Sequence, residues 1–149
     1  MIRVQTGDFD IGAEVEALTR NRADIGAVVT FSGLVRDASG GSAVTSMDLE
    51  HYPGMTEKEL ARIEAEAHDR WPLQATLIVH RVGRLAPGDN IVLVVAASAH
   101  RKAAFEAAAF LMDYLKTRAP FWKREVGQGE SRWVDAREDD DRAAEKWRD

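Results

Sequence analysis

The sequence predicts an α+β fold, and three observations carry that reading. Apolar residues recur at helical spacing in separate segments. β-branched or alternating runs lie between them. Short Pro/Gly/Asp turns join neighbouring strands without room for crossover helices, which makes the pairing mostly antiparallel. A chain of 149 residues fits one domain, 1–149, with an acidic tail from about residue 137. No internal repeat, low-complexity tract or Pro/Gly/Ser linker divides it.

Met1 to Thr6 reads as a short strand with Ile2 and Val4 on one face. Ile11 to Arg20 places Ile11, Val15 and Leu18 at helical spacing. Gly26 to Val35 is β-branched and apolar, a buried strand, and Asp37–Ser42 follows as a surface loop with paired glycines. Met47 to Tyr52 alternates, Met47 and Leu49 opposing Asp48 and Glu50, up to the turn Pro53-Gly54. Thr56 and Glu59 have the spacing of a capping box, and the helix behind them buries Leu60, Ile63, Ala67 and Trp71 before Pro72 ends it. Strands Thr76–Val82 and Asn90–Ala97 read as a hairpin across Ala86-Pro87-Gly88-Asp89. Arg101 to Thr117 is the strongest helical segment, with Phe105, Ala108, Ala109, Met112 and Leu115 as its apolar stripe. Pro120 stops it. Phe121–Val126 and Ser131–Ala136 form a second hairpin across Gly127-Gln128-Gly129, and the acidic tail closes with a short helix around Trp147.

Composition excludes several classes of function. The 45% hydrophobic content supports a packed core. The net charge of −5 opposes a nucleic-acid binder. There is no cysteine, hence no disulfide, thiolate zinc site, iron–sulfur cluster or thiol nucleophile. No apolar run reaches the ~18 residues needed to span a membrane, and the Met1–Gln5 start lacks a signal core, so the expected address is the cytoplasm. The histidines His51, His68, His80 and His100 form no His-Glu-x-x-His run, so no metal site is expected. Phosphate-binding glycine loops and the G-x-S-x-G elbow are missing too.

The candidate chemistry lies around the long helix. His100, Arg101 and Lys102 crowd its N-terminus, where cations are mildly unfavourable unless an anion sits between them and the free amides. Lys116, Arg118, Lys123 and Arg124 crowd its C-terminus and the next strand. Dipole complementarity explains that set without any function. If the chain reverses after Ala119, however, Lys116 and Lys123 can point into one cleft, where one becomes a usable proton donor or nucleophile. Arg36, ending a strand, suits a bidentate grip on phosphate or carboxylate, or simply an ion pair with one of the acids.

Taken in order, Leu49-Glu50-His51-Tyr52-Pro53-Gly54-Met55-Thr56-Glu57-Lys58, His80-Arg81-Val82-Gly83, Pro87-Gly88-Asp89, Ser98-Ala99-His100-Arg101 and Ala104-Phe105 resemble the catalytic (large) subunit family of molybdopterin synthase. The block Met112-Asp113-Tyr114-Leu115-Lys116-Thr117-Arg118-Ala119-Pro120-Phe121-Trp122-Lys123-Arg124-Glu125 looks like that family's hallmark. The match runs from about Gly26 to Trp133.

The resemblance implies an α/β-hammerhead-like domain with an additional antiparallel β-sheet. It implies a homodimer within a heterotetramer, binding two copies of a small ubiquitin-like sulfur carrier with a C-terminal Gly-Gly thiocarboxylate. Sulfur then moves onto cyclic pyranopterin monophosphate, the cyclic phosphate opens, and molybdopterin results. Carried over by position, Lys116 and Lys123 are the catalytic lysines. Arg36, His100 and Arg101 bind the substrate phosphate, some of them across the dimer. Leu34 and Val35 supply wall and backbone. Phe31, Met112, Arg124 and Glu125 line the pocket or meet the carrier tail. No cofactor and no metal are expected on this chain, since metal enters later in that pathway. The resemblance suits the composition, because a chain without cysteine cannot hold a persulfide and needs its sulfur delivered. Two other readings remain at this point: a non-catalytic module binding an anionic phosphometabolite, and a lysine enzyme working through a Schiff base.

Overall fold

The computed structural model describes residues 1–39, 42–43, 46–127, 130–134 and 138–148, with backbone alone at 38–39, 42–43, 124–127, 130–134 and 138–139. In chain order the elements are β1 (Ile2–Gln5), α1 (Ile11–Thr19), β2 (Ala27–Leu34), β3 (Ala38–Ser39), β4 (Ser42–Ala43), β5 (Ser46–His51) and α2 (Met55–Arg70). They continue with β6 (Leu73–Arg81), β7 (Gly83–Leu85), β8 (Asn90–Ser98), α3 (Arg101–Arg118), β9 (Phe121–Gly127), β10 (Glu130–Val134) and α4 (Glu138–Glu145).

Two four-stranded sheets carry the fold. The first has the order β1-β6-β8-β2, with β1 parallel to β6 and the other pairs antiparallel. The second is antiparallel, in the order β10-β9-β5-β7. Strand β8 is buried from Val92 to Ser98 because both faces of the first sheet are covered. Alternation along β6 and β8 sends Leu77, Val79, Leu93 and Val95 to one face, where Phe9 and the α1 residues Ile11, Val15 and Leu18 cover them. Ile78, Val92 and Val94 face the other way, onto Leu60, Ile63 and Ala67 of α2 and Phe110, Leu111, Tyr114 and Leu115 of α3. Each such buried Leu, Ile or Val contributes about 1.5–3 kcal/mol.

Several sequence expectations are corrected. The expected Thr56/Glu59 capping box does not form. The N-cap is Gly54, two residues earlier, which has no side chain to cap with. Only the return half is made, the Gly54 N–H donating to the Glu57 carboxylate at 3.2 Å, while Glu59 pairs with Arg62. Thr56 is instead fully buried, engaged with the chain on either side of it. The Thr76–Val82/Asn90–Ala97 hairpin exists, but the chain leaves the first sheet at Val82, turns at Gly83 (φ 93°) and spends β7 in the second sheet before returning. Only glycine takes that backbone readily. The expected Asp37–Ser42 loop contains the paired strands β3 and β4; its glycines, Gly40 and Gly41, lie outside the described residues.

The apolar stripe of α3 is rotated from the expected one. Ala103, Ala104, Ala107, Ala108, Phe110, Leu111, Tyr114 and Leu115 face inward, whereas Phe105 is 62% exposed and Ala109 points outward. Ala107 and Ala108 let the helix lie close on the Ala96 region of the sheet, while Phe110, Leu111 and Tyr114 fill the core beside them. The β9–β10 hairpin forms as expected; Gln128, Gly129, Asp135 and Ala136 lie outside the described residues. In the tail the helix is α4, and Trp147 lies just past it. Its ring contacts Trp71 and Phe110, and its N–H donates to Asp113 at 2.7 Å.

Candidate functional site

The two ends of α3 hold the two cationic groups, and β2 runs from one to the other. At the N-terminal end, β2 begins beside the turn that starts the helix. The Gly26 N–H donates to the Ser98 carbonyl at 3.0 Å, and a Cβ on Gly26 would stand 2.2 Å from the Ala99 carbonyl oxygen. His100 is the N-cap residue of α3 but makes no side-chain cap bond, and the first turn contains no acid. His100, Arg101 and Lys102 are all exposed around these uncapped amides. This end offers positive charge and free N–H donors to an anion.

At the other end, β2 carries Phe31 and Leu34, 42% and 58% exposed, and passes a register shift between Gly33 and Leu34. Val35 then crosses to the second sheet. Its N–H donates to the Asp89 carbonyl at 2.9 Å, and its side chain packs with Met47 and Leu85. Arg36 follows, exposed, at the junction of the two sheets.

The same junction receives the end of α3 and the start of β9. Lys116 is exposed on the last turn of α3, and Met112, one turn earlier, is half-buried against the core. After Pro120 the chain enters β9, where Phe121, Lys123 and Glu125 pair in register with His51, Leu49 and Met47 of β5. Leu49 and Met47 are buried, so alternation places Lys123, itself half-buried, on the interior face with Phe121. For Arg124 and Glu125 the backbone is described and pairs with Trp133 and Arg132 of β10; their side chains lie outside the described set.

The α3–β9 turn is fastened from two directions. The Thr56 hydroxyl donates to the Pro120 carbonyl at 3.1 Å and accepts the Tyr52 N–H at 3.0 Å, joining this turn to the start of α2. The Phe121 ring stacks on His80 with centroids 3.9 Å apart and 18° between planes, and faces His51 at 6.5 Å. His80 is buried in the first sheet, and its Nδ1–H donates to the Arg81 carbonyl at 2.9 Å. Burial pushes the His80 pKa down to about 4. The Arg81 carbonyl works against that shift, and the proximity of Lys116 and His51 adds to it.

The structure therefore brings Leu34, Val35, Arg36, Lys116 and Lys123 to one end of the molecule, with Phe31 and Met112 set back from it along β2 and α3 and the backbone of residues 124 and 125 beside it. It does not bring His100 and Arg101 there: fifteen residues of helix separate Arg101 from Lys116, about 23 Å. Sequence reasoning missed Thr56 and His80 as parts of this end. His80 carries only a weak signal, a histidine directly after the apolar run Leu77–Val79.

The family model described as "MoaE protein" matches residues 4–118. The molybdopterin synthase catalytic subunit of Mesorhizobium japonicum is 60% identical, over 99% of this chain and 92% of that protein. Among solved structures, the molybdopterin biosynthesis MoaE protein of Burkholderia ambifaria superposes with a TM-score of 0.85 at 54% identity, covering 99% of this chain and 97% of that one. A complex of subunits 1 and 2 of the molybdopterin-converting factor of Helicobacter pylori shares the fold, with a TM-score of 0.75 at 20% identity and 91% of each chain covered.

Proposed function

The chain belongs to the MoaE family of molybdopterin synthase catalytic subunits, and on that premise we propose that it moves sulfur from the C-terminal thiocarboxylate of a small ubiquitin-like carrier onto cyclic pyranopterin monophosphate. The observation that carries this reading is the α3–β9 turn, which sets Lys116 and Lys123 at one end of the molecule together with Arg36. Both reactants are anions, and concentrated positive charge in an otherwise acidic protein is what lets them meet. One lysine holds the thiocarboxylate, and the other passes a proton as the phosphate ester leaves. Leu34 and Val35 form wall, Phe31 and Met112 flank the carrier tail, and Arg124 and Glu125 continue the pocket along β9.

His100 and Arg101 enter this site from a second copy of the chain. A single chain leaves them about 23 Å from Lys116, and their uncapped helix N-terminus then grips the substrate phosphate of the neighbouring copy. The working assembly is a homodimer with one carrier on each side, a cytoplasmic heterotetramer whose large subunit is one domain over 1–149. The complex of two subunits described for the Helicobacter pylori protein supports a small partner. Among the described residues no helix is long and apolar enough to cross a membrane.

The test mixes variants. Lys116→Ala and Lys123→Ala are each expected to lose ~100-fold or more of dithiolene formation from thiocarboxylated carrier while still binding the carrier. Arg101→Ala is expected to be severely impaired as well. Refolding Lys116→Ala together with Arg101→Ala should then restore roughly a quarter of the wild-type rate, because half of randomly paired dimers regain one intact site of two. No recovery would place every group within one chain. Substrate binding without turnover by the wild type would leave only a phosphometabolite-binding module, and trapping of a carbonyl on either lysine by borohydride would indicate Schiff-base chemistry.

A further inference from the structure

The turn between the two lysines rests on a ring for which the proposed chemistry has no use. His80 is buried near the end of β6, one residue before the strand ends and three before the chain turns at Gly83 into the second sheet. Across the sheet its register neighbours are Val4 and Val92, neither of them polar. Phe121 from β9 lies against it face to face at 3.9 Å, and Phe121 is also the first strand residue after the α3–β9 turn.

We propose that His80 is a positioning residue of the sulfur-transfer site, its ring being the platform that fixes Phe121 and, through Phe121, the setting of Lys116 against Lys123. The inference rests on the function proposed above for its kinetic consequence, and on geometry alone for its structural one.

Two features fit a platform better than a filler. The Nδ1–H bond to the Arg81 carbonyl locks the tautomer and holds the ring plane parallel to Phe121. A flat ring locked in plane gives Phe121 one preferred seat, and Lys123 follows two residues later on the same face, ~7 Å along the strand. The titratable groups facing His80 are Lys116 from α3 and His51 from β5, and both disfavour a proton on it. The platform is therefore uncharged at neutral pH and adds no competing cation beside Lys116. A displacement of about 1 Å in a catalytic group can cost ~100-fold in rate, so a support at this place has kinetic weight.

The experiment compares full-length His80→Ala and His80→Phe with the wild type, in turnover and in the yield of Lys116–Lys123 bridges formed by a short homobifunctional amine reagent and read by mass spectrometry. His80→Ala should lower kcat ~10-fold or more with the carrier KM within ~2-fold, and should cut the bridge yield several-fold; His80→Phe, which restores a ring, should recover most of both. Phe121→Leu keeps apolar bulk but removes the stack, and should repeat the losses of His80→Ala. Normal kcat and bridging in Phe121→Leu overturn the proposal even where His80→Ala fails to fold, and so does a His80→Phe protein as defective as His80→Ala. If the wild type itself does not turn over, the sulfur-transfer reading fails, and the bridge yields alone still decide whether His80 sets the lysines.

Discussion

The two ends of α3 carry similar charge and are built in opposite ways. At the C-terminal end the chain after Lys116 is held by the Thr56 hydroxyl and by the Phe121–His80 stack, while Arg118 lies over the Tyr114 ring at 3.7 Å. At the N-terminal end His100, Arg101 and Lys102 stand exposed on a helix without a side-chain cap. The difference follows the task proposed for each. Proton transfer and sulfur delivery need groups placed to a fraction of an ångström, whereas holding a phosphate needs mainly charge and free N–H donors.

The largest effect expected on stability concerns the fastened end and acid. The folded pKa of His80 lies at about 4, against 6.5 for the free side chain, so the unfolded chain takes up a proton before the folded one does. Stability from the neutral ring is whole above pH 6.5, drains as the pH falls towards 4 and levels off below it. The full difference is roughly 3 kcal/mol. Urea melts from pH 7 to pH 4 should show it in the wild type relative to His80→Phe; parallel curves would mean the ring is not buried neutral.

Next in size is Gly26→Ala at the open end. Its new Cβ meets a backbone carbonyl that has no rotamer to escape into, so a loss of about 2 kcal/mol is expected, read as a shift of several degrees in Tm. Unchanged stability would show that the start of β2 is not pinned to the α3 turn. The smallest effect is Thr56→Val, which keeps the shape but strips the Tyr52 N–H and Pro120 carbonyl of their shared hydroxyl. It should cost ~1–2 kcal/mol and lower kcat more than it changes carrier affinity. A pure stability loss with normal kcat would mean that the α3–β9 turn holds itself.

Most of this contrast was legible in the sequence, and the omissions have physical reasons. The Lys116-to-Glu125 block, the break at Pro120 and the cations at both helix ends could be read directly, and so could their separation, from the rise of a helix. Spacing alone does not fix the inward face of α3, because large apolar residues lie on both sides of the helix, Phe105 outside and Phe110, Leu111 and Tyr114 inside, and the alanines between them weigh little in a hydrophobic pattern. Strand β7 escaped because three residues after a glycine turn hold no periodicity. Thr56 was assigned to its own helix end because local spacing suggested a cap, whereas its acceptor lies 64 residues downstream. Long-range partners of that kind leave no local trace.

Strand β2 acts as a caliper. Its eight residues span ~26 Å, nearly the ~27 Å of the eighteen-residue helix lying over the same sheet. One jaw is set where Gly26 meets the Ser98 carbonyl, the other where Val35 meets Asp89. Losing or gaining a single residue between them would shorten or lengthen that gauge by a strand step and turn every later side chain over, Leu34 and Arg36 included. An insertion or deletion is thus expected to be tolerated only outside the jaws, whatever substitutions the strand itself accepts.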